Sequence, residues 1–359
     1  MLYVIYFDLN RDYLVGIRKK IIAQINAFKK VFGQVYYTCY AGQMFYLING
    51  EDIIEKELAV TRKDCNQILC KWIMEYNITR IYIRYNLANK WFLDFLKFQK
   101  EKQIKTVLEI PTYPYDGEEW RKREAEDNYY RMQMQQYIYY CTTYSNVKKI
   151  FGIPCIPLIN GVDIAEHRMK RAVHKETDDI VLIAVATMRR EHGYERIIHG
   201  MYEYYRLGGK RKVYFNLVGD GAQISYYKQL VKECNLEGYV LFHGFLYGKE
   251  LDKVYDDSDI GIGALGLYKS GISEGTGIKA VEYCVRGLPI VVPDDYGFKN
   301  KYFVYKVPNN DTFISMDSVI DFYNNLQSSD YISDCHNYAA DNYSWDKVLE
   351  PVIEYLKTS

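Results

Sequence analysis

The chain has 359 residues, 46 Lys and Arg against 46 Asp and Glu, and 48% apolar residues, which suits two globular domains with cores of their own. This excludes a small disulfide scaffold, a disordered tail or a collagen. A net charge of zero also argues against a nucleic-acid binder that works by neutralising phosphates.

The charge is split unevenly. Residues 1–160 carry 23 basic and 17 acidic side chains, and residues 161–359 carry 23 and 29, so the first half is the one suited to an anionic partner, although small asymmetries of this kind also occur without a function. The eight cysteines form no Cys-x-x-Cys pair, and several lie in apolar runs, which reads as reduced thiols in a cytoplasmic protein and not as a zinc site. The first seven residues form an apolar run that ends at Asp8, with no basic start or cleavage site of a secretory leader. No apolar stretch is long enough to span a bilayer. The 38 tyrosines are spread evenly and specify no function.

Strand-like and helix-period segments alternate along the chain. Tyr3–Phe7 is followed by a helix at Gly16–Phe32, with Ile17, Ile21, Ile22, Ile25 and Phe28 at helical spacing. Strands at Val35–Tyr40 and Phe45–Ile48 precede a helix near Lys63–Tyr76, a strand at Arg80–Tyr85, a helix near Trp91–Lys100 and a strand at Thr106–Ile110. A polar helix at Asp116–Gln135 leads to strands at Tyr137–Thr143 and Ile156–Ile159. After a charged stretch, Ala165–Asp179, the rhythm restarts with strands at Ile180–Ala186, Val213–Val218, Val240–Phe242, Ile260–Ala264 and Pro289–Val292. Between them lie helices at Gly193–Leu207, Tyr226–Cys234, Leu251–Tyr255 and Thr276–Arg286, and a last helix spans Trp345–Lys357. Such alternation predicts an α/β protein of two doubly wound Rossmann-like halves, with ligands at the carboxyl ends of the strands.

Two glycine patterns follow strands. Val218-Gly-Asp-Gly221 is a weak phosphate-loop signal that equally describes a tight turn. Gly261-Ile-Gly-Ala-Leu-Gly266 matches the dinucleotide fingerprint formally, but its first glycines lie inside the strand and no helix follows at once, so a nicotinamide site is rejected.

The informative segment is Ser273-Glu-Gly-Thr-Gly-Ile-Lys-Ala-Val-Glu-Tyr-Cys-Val-Arg-Gly-Leu-Pro-Ile290. Gly275, Thr276 and Gly277 put backbone N–H groups at a helix N-terminus, where partial positive charge attracts a diphosphate. Lys279 adds a full charge. Glu282 offers acceptors for the vicinal hydroxyls of a ribose, and Glu274 for those of a second sugar. The alternative is a surface pair of Glu282 with Arg286 at i,i+4 and a solvated Glu274.

Glu274-x7-Glu282 followed by Arg286-Gly-Leu-Pro-Ile-Val-Val resembles the donor-site signature of retaining family 4 glycosyltransferases of the GT-B fold. Further resemblances fall in the family's order: Asn160-Gly-Val-Asp163, Leu217-Val-Gly-Asp-Gly221, Val240-Leu-Phe-His-Gly244, Asp256–Asp259 and Tyr343-Ser-Trp345. The resemblance runs from 155 to 350.

It implies two Rossmann-like domains facing each other across a cleft: residues 1–164 on the acceptor side, 165–344 binding the donor, and a helix at 345–359 packing back toward the first domain. It further implies transfer of a hexose with retention, without a metal or other cofactor, from a UDP- or GDP-sugar to a polysaccharide or lipid-linked glycan. The family's basic loop corresponds to Ala186–Tyr194, where Thr187 and His192 replace the usual Arg and Lys. Arg190 and Lys279 are therefore the expected charge pair, with Arg189 in reserve. Gly219, Gly16 and Phe245, which follows the Val240–Gly244 motif, are expected near the donor. The family's first-domain His is missing from Leu108–Gly117, leaving Glu109 and Asp116 as candidates for the sugar or acceptor hydroxyls. The basic residues Arg18, Lys19, Lys20, Lys29 and Lys30 suit an anionic lipid at the inner face of a membrane, or simply a solvated helix face. The altered basic loop keeps a second reading open, a catalytically silent subunit that binds a nucleotide sugar or a partner enzyme.

Overall fold

The computed structural model describes residues 1–113, 125–171, 177–270, 277–294, 297–326 and 330–358. The chain divides into two units, Met1–Gly161 with Trp345–Ser359, and Val162–Ser344.

The first unit begins with β1 (Leu2–Val4), α1 (Val15–Phe32), β2 (Tyr36–Ala41), β3 (Met44–Asn49) and β4 (Asp52–Leu58). Then come α2 (Arg62–Glu75), β5 (Arg80–Arg84), α3 (Lys90–Glu101), β6 (Lys105–Glu109), α4 (Ala125–Arg131), β7 (Tyr140–Thr143), β8 (Lys149–Ile150) and β9 (Ile153–Pro157). Helix starts follow local capping chemistry: Thr61 and Asp64 form a reciprocal capping box on α2, and the Asn89 side chain accepts from the Phe92 N–H on α3.

The nine strands run in the order β4-β3-β2-β1-β5-β6-β7-β9-β8. The pairs from β2 to β9 are parallel, while β3, β4 and β8 pair antiparallel. Strand β4 has no counterpart in the alternation of the sequence. Its residues Asp52-Ile-Ile-Glu-Lys-Glu-Leu58 lie on a sheet edge and are largely exposed, so no apolar period marks it. The local signal was Asn49-Gly50, whose Gly50 has φ of +66° in the turn of the β3–β4 hairpin. The polar segment expected to be one helix over Asp116–Gln135 is helical at α4 and in a 3-10 turn at Met134–Gln136 within the described residues.

The second unit comprises β10 (Ile180–Val185), α5 (Glu195–Arg206), β11 (Val213–Val218), α6 (Ile224–Glu233), β12 (Val240–Gly244), α7 (Gly248–Asp256) and β13 (Ile260–Ile262). It continues with α8 (Ile278–Val285), β14 (Ile290–Pro293), β15 (Val304–Val307), α9 (Met316–Leu326) and α10 (Tyr331–Tyr343). Its six-stranded sheet, ordered β12-β11-β10-β13-β14-β15, is parallel throughout. Apolar faces of both sheet and helices close over one core, from Ile180 and Leu182 to Tyr283 and Val291.

The chain then returns to the first unit as α11 (Trp345–Val348) and α12 (Glu350–Lys357). Leu349, Val352 and Leu356 bury there in one cluster with Tyr3, Ile25 and Phe28. Among the described residues, no helix is long and apolar enough to cross a membrane. The architecture is mixed α/β, with two Rossmann-like units.

Candidate functional site

In a doubly wound sheet the strand order reverses at one point, and the loops leaving the strands there splay apart to admit a ligand. In the second unit this switch lies between β10 and β13, which pair with each other while β11 and β14 continue outward on opposite sides. The loops after β10 and β13 are tied together. Leu265 N–H donates to His192 O at 2.8 Å and Gly266 N–H to Glu191 O at 3.1 Å. A Cβ on Gly193, which has φ of +62°, would fall 2.5 Å from Gly266 N, so this turn requires glycine on both steric and conformational grounds. Beneath the loops, buried Arg196 donates to Leu265 O at 2.7 Å, Thr312 O at 2.7 Å and Pro308 O at 2.9 Å.

This packing explains the formal dinucleotide pattern. Side chains at Gly261 and Gly266 would strike the Tyr283 ring and the Arg190 carbonyl, so both glycines serve protein packing. Gly219 has a comparable role. Its φ is +118°, and a Cβ would stand 2.0 Å from Ala186 O, so the chain's own β10 loop already demands glycine there.

Arg190 opens a one-turn 3-10 helix, Arg190–His192, and both Arg190 and Arg189 are exposed. His192 is fastened inward, its Nδ1 accepting from the Arg189 N–H at 3.0 Å. Burial lowers its pKa below the ordinary histidine value, which leaves the ring neutral at pH 7. It therefore does not replace the positive charge of a lysine.

Helix α8 buries Ala280, Val281, Tyr283, Cys284 and Val285, and the Tyr283 hydroxyl accepts from the Val185 N–H at 2.8 Å, anchoring α8 to the end of β10. Gly277 is its N-cap residue. On the outer face Lys279 Nζ lies 2.8 Å from Glu282 Oε2. The alternative pairing of Glu282 with Arg286 is overturned, because Arg286 Nη1 instead lies 2.7 Å from Asp252 Oδ1 and its guanidinium stacks 4.1 Å from the Tyr255 ring centroid. Glu274, Gly275, Thr276 and Asp116 lie outside the described residues. Phe245, after β12, is exposed, as is Tyr247.

The structure adds a residue that spacing did not single out. The opening segment of the second unit is stapled to its α7–α8 side: Arg168 makes a two-pronged pair with Asp256 at 2.8 and 3.1 Å, Lys170 N–H donates to Arg286 O at 2.7 Å and Lys170 Nζ donates to Ser258 O. His167 is thereby set among Glu282, Arg286 and Lys279. Burial lowers its pKa, Glu282 opposes that, and the two cations add to it. Its Nδ1 is buried without a hydrogen-bond partner among the described residues. No signal in the sequence points to it, since its neighbours arrive from more than 100 positions downstream.

In the first unit the strand order reverses at β1, flanked by β2 and β5. Gly16 is exposed in the first turn of α1, and a Cβ there would meet nothing within 4 Å, so packing places no demand on it. Lys20, one turn on, is not a solvated member of a basic helix face. Its ammonium sits 3.2 Å from the Tyr144 ring centroid and 5.5 Å from that of Trp345, and donates to Asn160 Oδ1 at 3.0 Å. Burial, together with Arg84, outweighs the attraction of Glu109 and pulls its pKa down to about 7.

Glu109 is fully buried. Its carboxylate accepts from Arg84 Nη1 at 2.8 Å, Tyr144 OH at 2.6 Å and Tyr3 OH at 3.0 Å. Expected on the sugar or acceptor side, it instead has its oxygens engaged within the protein and joins β1, β5, β6 and the residue after β7. Among the described residues, no cluster of three or more His, Cys, Asp or Glu is placed to hold a metal ion.

Residues 166–306 match the family model described as glycosyl transferases group 1. No curated protein matches the chain. Among solved structures, a glycosyltransferase from Rickettsia africae is similar over 100% of this chain and 98% of its own, at 15% identity and a TM-score of 0.64. The Anabaena protein HepE, crystallised in complex with UDP, is similar over 99% of this chain and 98% of its own, at 14% identity and a TM-score of 0.59. Sucrose-phosphate synthase from Thermosynechococcus elongatus aligns over 98% and 97%, at 12% identity and a TM-score of 0.56. The fold is that of the GT-B glycosyltransferases, and the match to the group 1 family model lies within the second unit.

Proposed function

We propose that the chain transfers a hexose, with retention of configuration and without a metal, from a UDP- or GDP-sugar to a polysaccharide or lipid-linked glycan. The observation that carries this reading is α8: a glycine-capped helix at the switch side of the second sheet, with Lys279 and Glu282 paired on its outer face, inside the region matching the group 1 glycosyl transferase model. HepE, a protein of this fold, binds UDP and UDP-glucose, which supports a uridine donor first.

In this reading the N–H groups of Gly275–Gly277 and the positive end of α8 receive the diphosphate. Lys279 exchanges Glu282 for a phosphate oxygen, which frees Glu282 for the ribose hydroxyls. Arg190 supplies a second charge as the diphosphate leaves. Glu274 orients the donor sugar, and the leaving phosphate takes the acceptor's proton, so no side chain acts as general base. Glu109, being buried, has no substrate role here; it holds the strand ends that carry the acceptor side.

One observation favours a second reading, a silent subunit that binds a nucleotide sugar or partner enzyme: His192 is neutral and tied to its own backbone, so the basic loop is a charge short. The test is thermal stabilisation by a panel of UDP-, GDP- and ADP-sugars with chelator present, followed by nucleotide release with water as acceptor. A selective shift with turnover supports the transferase, and Glu274→Gln then cuts turnover by orders of magnitude without altering the melting point of the free protein. A selective shift without turnover supports the silent subunit. No shift with any donor overturns both nucleotide-sugar readings.

A further inference from the structure

Two of the eight cysteines are brought together by sheet register. Cys141 on β7 and Cys155 on β9 are direct partners in a parallel pair, and both pack into the same core cluster, so their side chains leave the same face of the sheet. Neighbouring strands lie about 4.8 Å apart, inside the roughly 4.4–6.8 Å between Cα atoms that a disulfide spans. Cys141 Sγ–H donates to Ile153 O at 3.7 Å, and the two thiols are near enough to perturb one another's ionisation. Cys141 is fully buried, whereas Cys155 is partly exposed.

We propose that Cys141 and Cys155 form a reversible dithiol–disulfide pair, oxidised by a small external disulfide of the glutathione class. Cys155 is the sulfur that such a reagent reaches. The neighbouring Cys141 also holds the Cys155 thiol below the ordinary cysteine range, against the opposing effect of burial, and thiolate character with exposure governs attack. The Cys155 thiolate bonds to one sulfur of oxidised glutathione and expels the other as glutathione thiolate. Cys141 then gives up its proton and attacks the Cys155 sulfur, expelling the second glutathione. Two protein thiols are oxidised and one glutathione disulfide is reduced to two thiols.

The site bears on the rest of the first unit because β7 runs directly into Tyr144 and β9 toward Asn160, the two nearest partners of Lys20. A bridge fixes the spacing of the strands that deliver them. The proposal does not rest on glycosyl transfer. A built-in comparison is the second contacting pair, Cys284 and Cys335, where both residues are fully buried and no reagent meets either sulfur in the folded protein.

The test is exposure of the native full-length protein to oxidised glutathione, alkylation of the remaining thiols, and mass spectrometry of the intact chain and its peptides. The expected result is loss of two of the eight thiols, a peptide linked through Cys141 and Cys155, and full recovery with dithiothreitol. Cys141→Ser stops at one stable glutathione adduct on Cys155, and Cys155→Ser leaves the remaining seven thiols free. Retention of all eight thiols by the native chain, a persistent single adduct on it, or a bridge through any other pair overturns the proposal.

Discussion

Replacing Glu109 by Gln removes the anionic partner of Arg84 at a place where solvent cannot substitute for it. The Arg84 and Glu109 side chains are 8% and 0% exposed, so the variant leaves a guanidinium buried beside a neutral amide, with Lys20 a second cation nearby. Gln also turns one acceptor oxygen into an NH2 group, so either Tyr3, on Oε2, or both Arg84 and Tyr144, on Oε1, lose their partner. Breaking a buried pair from one side costs about 3–5 kcal/mol, and that is the expected loss for Glu109→Gln. Arg84→Met combined with Glu109→Gln removes both charges and is expected to cost at least about 2 kcal/mol less than the sum of the single variants, the size of coupling seen for contacting groups. Denaturant-dependent hydrogen exchange of the β5 and β6 amides reads the first unit alone, which matters because two units need not unfold together. The acid limb gives an independent check. Burial alone raises the Glu109 pKa, but Arg84, Lys20 and the hydrogen bonds outweigh it and hold the group below the usual carboxylate range. Its contribution is therefore complete above the ordinary Glu value of 4.5 and is lost as pH falls through the lower native pKa. A Glu109→Gln cost under about 1 kcal/mol, or strict additivity with Arg84→Met, would refute the argument.

Three further outcomes follow from the same geometry. Lys20 titrates near 7 in the folded chain and near 10.5 when unfolded, so between these values the unfolded chain binds the extra proton and native stability rises with pH, by at most about 1.4 kcal/mol per unit. Lys20→Met lacks that rise, and the difference between wild type and variant from pH 7 to 9 in urea titrations measures it; above that window the raised thiols of Cys65 and Cys70 act oppositely in both proteins. Gly219→Ala combines a strained positive φ with a clash against Ala186 O and is expected to cost about 2–3 kcal/mol, read as a lowered melting point with secondary structure retained by circular dichroism. Lys279→Met, on an exposed helix face, should leave the melting point of the free protein within about 0.5 kcal/mol of wild type in stability terms while abolishing most of the stabilisation by the preferred nucleotide sugar; an undiminished ligand shift removes Lys279 from the diphosphate.

The parts of the molecule legible in the sequence are those whose physics is local. Parallel strands buried on both faces must be apolar runs, so β10, β11 and β14 announce themselves. The charged edge strand β4 does not, because its residues face solvent and only the hairpin turn constrains them. The C-terminal stretch holding β15, α9 and α10 follows no alternation that marks a doubly wound half, since two of its helices succeed one another without a strand between. Glycines were legible as turns but not by purpose: a ligand and a neighbouring part of the chain impose the same demand for a missing Cβ, and at Gly261 and Gly266 the fold supplies that neighbour, the Tyr283 ring and the Arg190 carbonyl.

The α8 signature and the Glu109 network show where that boundary falls for function. Lys279 and Glu282 meet because a helix returns to the same face after three residues, so their pairing and its orientation follow from spacing once the helix is recognised. Glu109 meets Tyr3 across 106 positions and Tyr144 across 35, and those encounters exist only because β1, β5, β6 and β7 align in parallel register. From the sequence, a carboxylate at the end of a strand in such a fold reads as a ligand for substrate hydroxyls. In the folded chain three donors and a nearby ammonium claim it first. The same register places Cys155 against Cys141 and, through the residues that follow, Asn160 and Tyr144 around Lys20. Register is thus the quantity that turns isolated polar residues of the first unit into one connected cluster.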